Sequence, residues 1–139
     1  MRSTVLFFLL ITALASVAQN PTIANKKLDG MWVPVKLEID GAPLPPATFE
    51  KQKLTLVDSN YTFVAESVDK GIARYSDGKM DLYGRDGVNA GKHFTAIYKL
   101  ENEQLVICYN LAGDSYPENF ETKGKPTFFL AVFKKIVSE

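Results

Sequence analysis

The chain has 139 residues, with 16 basic and 16 acidic side chains, so its formal net charge is zero. This length suits one domain with a core of reasonable size rather than two ordinary domains. Because charges of both signs are scattered without a basic stripe, we expect neither nucleic acid nor an anionic membrane surface as a partner.

Residues 1–18 have the pattern of a secretory signal peptide. Arg2 precedes an apolar run, and the small residues Ser16 and Ala18 take the −3 and −1 positions of a cleavage site. The alternative is an uncleaved membrane anchor, but a spanning helix needs about 20 apolar residues and this run is shorter. We therefore expect an exported protein, periplasmic or secreted, with no integral membrane segment after cleavage. A flexible leader over residues 19–27 and one folded domain over residues 28–137 would follow.

The first strand is predicted from alternating apolar side chains, which are Val33, Val35, Leu37 and Ile39. Trp32 and Pro34 fall on the other side of that alternation. Because proline cannot donate to a β-ladder, Pro34 predicts a bulge or an unpaired edge position. A bulge would let Trp32 and the later apolar residues face the same interior.

The middle of the chain predicts short strands joined by turns. Residues 47–52 resemble one helical turn, which would plug one end of a barrel or sandwich. Residues 54–57 and 61–65 form a hairpin, and weaker strands follow at 71–75 and 79–83. Residues 84–91 are a glycine-rich, polar connection.

The clearest hairpin lies near the C-terminal third. Pairing Leu100 with Leu105 sets its register and places seven side chains on one face, namely Phe94, Ala96, Tyr98, Leu100, Leu105, Ile107 and Tyr109. A long loop over residues 110–126 precedes a strand at 127–133 that is apolar on both faces. Cys108, the single cysteine, lies in an apolar run, which favours a buried, inert thiol over a reactive or intermolecularly bridged one.

About eight strands at a spacing of about ten residues, with almost no helix, indicate an all-β fold. We expect a small antiparallel up-and-down β-barrel, because the doubly apolar last strand needs two neighbours and the first strand is free. An antiparallel sandwich is the alternative.

Motifs along the chain resemble one known family. They run from Leu28-Asp29-Gly30-x-Trp32 through Asp40-Gly41-x-Pro43-Leu44-Pro45 and Leu54-Thr55-Leu56 to Pro117-x-x-Phe120-Glu121-Thr122-Lys123. Together they resemble the bacterial lipocalin-like domain family of exported, uncharacterised proteins, over about residues 28–136. The resemblance implies a small antiparallel barrel without established activity. It also implies that Lys134 or Lys135 packs across Trp32.

The sequence offers little for catalysis or cofactor binding. His93 is the only histidine, which excludes a multi-histidine metal site, and no G-x-S-x-G motif is present. We expect no cofactor and no enzymatic activity, with a hydrolase that uses His93 as its base as the alternative. Glu38 and Asp81 are the only acidic residues suggested for an interior face. The alternative for each is a position on the outer wall.

The remaining candidate site is the barrel interior. Its predicted ligand-binding residues are Trp32, Phe63, Phe94, Tyr98, Leu105, Ile107, Tyr109 and Phe129. These side chains either line an apolar cavity or fill the barrel. The first case predicts a non-catalytic lipocalin-like domain that binds a small hydrophobic molecule. The second predicts a protein-interaction or envelope-associated module, in which the 110–126 loop and residues 42–52 contact a partner that the sequence does not identify.

Overall fold

The computed structural model describes residues 27–137. The predicted signal peptide, and the predicted leader up to residue 26, lie outside the described residues. The elements are β1 Gly30–Ile39, β2 Ala42–Pro43, a 3-10 helix Pro46–Thr48, β3 Lys53–Val57, β4 Asn60–Val64, β5 Val68–Ser76, β6 Lys79–Asp86, β7 His93–Glu101, β8 Gln104–Asn110 and β9 Phe128–Ile136. Within residues 27–137, no helix has the length and apolar character needed to cross a membrane.

The strands form one antiparallel sheet that closes on itself. From β3 to β9 each strand pairs with the next along the chain, and β1 pairs with both β3 and β9. The β1–β9 ladder runs from Met31 opposite Ile136 to Ile39 opposite Phe129. The two-residue β2 only extends the free edge of β1. The eight longer strands therefore make a closed barrel, and the predicted fold class is confirmed.

A bulge in β1 sets which side chains enter the barrel. The register with β9 shifts between Pro34 and Lys36, so the intervening Val35 has no partner in the ladder. Trp32 and Leu37 are both buried, at 3% and 4% exposure, whereas Val35 is 39% exposed. The predicted bulge is confirmed. The expectation that the apolar side chains from Val33 to Ile39 all share one face of β1 is wrong, because the bulge at Val35 reverses the alternation.

The predicted hairpins agree with the observed pairing. In β7 and β8, Leu100 lies opposite Leu105 and Tyr98 opposite Ile107, as the pattern predicted. The predicted hairpin of β3 and β4 is also observed, with Val57 opposite Asn60 at its turn. The strand predicted at 127–133 continues to Ile136, because both lysines near its end pair with β1.

One end of the barrel, here called the closed end, is filled by side chains around Trp32. The Trp32 indole Nε1 donates a hydrogen bond to the Leu28 carbonyl at 3.0 Å, and the Leu28 amide donates to the Tyr75 hydroxyl at 3.0 Å. Lys135 Nζ lies 5.6 Å from the centre of the Trp32 ring. Of the two lysines expected to pack across Trp32, Lys135 therefore makes the contact. Below Trp32 the interior is filled by Leu56, Met80, Ala96, Leu105, Ile107 and Phe133.

A long connection, here called the strap (residues 111–127), covers part of the outer wall. The Thr95 hydroxyl donates to the Ser115 carbonyl, and the Thr122 hydroxyl donates to Glu38 Oε1 at 2.8 Å. Cys108 points outward from β8 into this region and has no exposed surface. The predicted burial of Cys108 is confirmed, and Cys108 lies outside the core cluster of the barrel interior, near Lys125 of the strap.

Replacing Trp32 with alanine should lower the free energy of unfolding by about 3–5 kcal/mol, because it empties the centre of the closed end. Urea unfolding followed by far-UV circular dichroism measures this without the lost fluorophore. Val57→Ala, at a site 51% exposed, is the control and should change stability by less than about 0.5 kcal/mol. Equal stability of the Trp32 variant and wild type would contradict this packing.

Burial raises the pKa of the Cys108 thiol from 9.0 to about 11. Below pH 9 the folded and unfolded chains both keep this proton. Between pH 9 and 11 only the unfolded chain loses it, so stability falls as the pH rises. Going from pH 8 to pH 10, wild type should lose about 1 kcal/mol more stability than Cys108→Ala in urea unfolding. Parallel pH profiles of the two proteins would show that the thiol is not buried.

Candidate functional site

The end of the barrel opposite Trp32, here called the open end, contains a cavity of about 150 Å³. Its walls come from β1, β3 to β9 and the connections at that end. The lining residues are Leu37, Gln52, Leu54, Tyr61, Phe63, Asp69, Leu82, Asn89, Phe94, Tyr109, Leu111, Phe129 and Phe133. Most of them are aromatic or leucine side chains, so the cavity is mainly apolar.

The predicted ligand-binding residues divide between the two ends of the barrel. Four line the cavity, namely Phe63, Phe94, Tyr109 and Phe129. The other four lie outside its lining, namely Trp32, Tyr98, Leu105 and Ile107. Alternation along a strand identifies inward-facing residues but does not give their level along the barrel axis, which the strand register decides. Whether the lining residues bind a ligand stays a prediction.

Two glycines facing each other make room at the open end. Gly71 of β5 lies directly opposite Gly84 of β6. A Cβ on Gly71 would be 2.6 Å from Cε1 of Tyr61, and a Cβ on Gly84 would be 1.9 Å from the Asn89 carbonyl oxygen. The absent side chains therefore let the Tyr61 ring and a loop enter the space between the walls.

That loop, here called the mouth loop (residues 87–92), folds back onto β6. The Gly84 amide donates to the Lys92 carbonyl, and the Gly91 amide donates to the Gly84 carbonyl, both at 2.9 Å. This arrangement places Asn89 in the cavity lining. The sequence predicted only a glycine-rich connection here, and its contribution to the site was missed.

Asp69 is the acidic side chain in the cavity wall. It lies opposite Phe63 in the β4–β5 ladder, so both side chains face inward, and it is 7% exposed. Its carboxylate accepts hydrogen bonds from the backbone amide and the side-chain amide of Asn89, both at 3.3 Å. Asp69 is not among the site residues predicted from the sequence. Stepping by twos from Tyr75 through β5 would have placed Asp69 on the inner face.

The suggested interior position of Glu38 is wrong. Glu38 lies on the outer wall, where its carboxylate accepts a hydrogen bond from Thr122 and pairs with Lys36 Nζ at 3.2 Å. The Thr122 hydrogen bond, together with Lys36, lowers the Glu38 pKa below its ordinary value. Glu38 therefore anchors the strap and does not contribute to the cavity.

Asp81 also lies on the outer wall, beside His93. His93 Nε2 lies 2.8 Å from Asp81 Oδ1, the Tyr116 hydroxyl donates to Asp81 Oδ2, and the His93 ring stacks on Tyr83 with centres 4.6 Å apart. This cluster is partly exposed and joins the strap to β6 and β7. His93 is thus at a strand start, as predicted, and is not in the cavity lining.

Two tyrosines supply further polar groups to the cavity. Burial raises the pKa of Tyr109 and, together with the nearby Asp69 carboxylate, that of Tyr61. Both hydroxyls therefore keep their protons at neutral pH. Each can donate one hydrogen bond and accept others inside a mainly apolar space.

Within residues 27–137, no three side chains among His, Cys, Asp and Glu are grouped closely enough to hold a metal ion. A scan against protein-family models found no match to the chain. Searches of curated proteins and of solved structures likewise found no match.

Gly84→Ala should displace the mouth loop, because the new Cβ would collide with the Asn89 carbonyl. We expect a loss of about 1–3 kcal/mol in stability and faster hydrogen exchange at the Gly91 amide. Gly91→Ala is the control. Its Cβ would meet nothing within 4 Å, so only its positive φ of 80° opposes the change. Unchanged exchange in Gly84→Ala would contradict the described loop position.

Proposed function

We propose that this protein is a non-catalytic, lipocalin-like barrel that binds a small hydrophobic molecule in its open end. The observation that carries the proposal is the cavity of about 150 Å³ with its aromatic and leucine lining. Mostly apolar cavities with a few polar groups are the usual form of small-molecule sites.

The volume of the cavity limits the size of the ligand. An apolar cavity of about 150 Å³ is large enough for a benzene-sized molecule. The filled closed end blocks extension along the barrel axis, since Leu105, Met80 and Leu28 leave no exposed surface there. A single-ring compound fits this space, whereas a long fatty acid would have to leave most of its chain in water.

The chemistry of the cavity supports binding rather than catalysis. Its titratable groups are Asp69 and two tyrosines, while His93 and Cys108 both lie outside its lining. Two side chains of the segments that would serve a protein-interaction module are used within the barrel itself. Thr122 of the strap bonds Glu38, and Phe49 after the 3-10 helix is buried in the core.

The lipocalin-like relationship and export are parts of the same proposal. Support for the relationship comes from the Gly30-Met31-Trp32 motif at the start of β1 and from Lys135 over the tryptophan. Gly30 leaves space for that lysine, because a Cβ there would lie 2.5 Å from Lys135 Cε. Support for export comes from the sequence of residues 1–18 alone.

Toluene should bind the purified protein saturably and raise its melting temperature, because a ligand that binds only the folded state stabilises it. Leu82→Phe places a larger side chain in the cavity wall and should weaken toluene binding by at least about tenfold. Titration calorimetry and thermal melts measure both effects.

Leu100→Phe is the matched control for this experiment. Leu100 is 42% exposed and lies outside the cavity, so its replacement should leave toluene binding unchanged. Absence of saturable toluene binding to wild type would refute the proposed function. Equal binding by the two variants would show that toluene binds elsewhere.

A further inference from the structure

We infer that the cavity selects small aromatic amines, with the ring inside the apolar space and the ammonium group paired with Asp69. This inference rests on the proposed function and specifies the class of ligand. The juxtaposition that carries it is a buried carboxylate in the wall of an aromatic cavity.

Asp69 has no cationic partner in the part of the chain that the structure describes. Ion pairs within residues 27–137 include Lys36 with Glu38, His93 with Asp81 and Lys99 with Glu101, and none of these involves Asp69. Burying an ionised carboxylate without an opposite charge costs free energy. A positively charged ligand group would offset that cost.

The Asp69 carboxylate can also accept further hydrogen bonds. Asn89 supplies two hydrogen bonds, each at 3.3 Å, which is long for an amide and a carboxylate. An ionised carboxylate has about four lone-pair sites. At least one site therefore remains for a ligand donor, and an ammonium group makes the shorter, charge-assisted form of that bond.

Aromatic side chains also line the cavity that contains Asp69. Phe63, Phe94 and Tyr109 line the same cavity as Asp69. Aromatic ring faces attract cations when these lie within about 6 Å. The walls therefore favour a cationic group as well as the ring of the ligand, whereas a carboxylate on the ligand would be repelled by Asp69.

The test compares four single-ring probes that differ in one substituent: benzylamine, benzyl alcohol, toluene and benzoate. Calorimetric titrations at pH 7 with the purified protein should give benzylamine an affinity at least about tenfold higher than benzyl alcohol. Benzoate should bind weakest. This ranking uses wild type alone and needs no variant to fold.

Asp69→Asn should reduce benzylamine affinity to that of benzyl alcohol, and urea unfolding followed by circular dichroism shows that the variant is folded. Asp77→Asn removes the same charge from an exposed turn at the closed end and should bind all four probes like wild type.

Two results overturn the inference in distinguishable ways. If toluene binds but benzylamine binds no tighter than benzyl alcohol, or Asp69→Asn keeps the preference, the selectivity for amines is wrong and the proposed function stands. If toluene does not bind, the proposed function fails and the inference that rests on it fails with it.

Discussion

The pairing of β1 with β9 is the constraint on which the rest of the structure depends. It joins the first and last described strands through a ladder interrupted only at the bulge between Pro34 and Lys36. Because the bulge reverses the alternation, Trp32 and Leu37 both enter the barrel while Val35 stays at the surface. Without that shift, Trp32 would face away from the interior and the closed end would lose its central side chain. The closure also removes two sheet edges that would otherwise be exposed to other chains.

The two ends of the barrel differ in how far side chains fill them. Large side chains fill the barrel around Trp32, and at the open end the Gly71–Gly84 pair leaves space that Tyr61 and the mouth loop only partly occupy. Eight-stranded barrels are just wide enough to be filled or to hold one small ligand. This barrel combines both arrangements, since it is filled at the closed end and hollow at the open end.

The sequence predicted the sheet better than the site, for physical reasons. Alternating apolar residues fix the face of each strand, so the Leu100–Leu105 register and the bulge near Pro34 were both predictable. The cavity depends instead on the positions of the inward-facing residues along the barrel axis and on two glycines that have no side chain. Gly84 was assigned to a loop because its neighbours are polar. Asp69 was overlooked because a charged residue in a weakly patterned strand does not by itself indicate an interior position.

The central claim is that ligand binding is confined to the open end of a half-filled barrel. Methyl NMR of leucine-labelled protein titrated with toluene tests it most directly, because leucines occur at both ends. We expect shift changes at Leu37, Leu54, Leu82 and Leu111, which line the cavity. The methyl groups of Leu28 and Leu105, packed at the closed end, should not respond. Changes centred on Leu28 and Leu105, or no changes at any leucine, would contradict it.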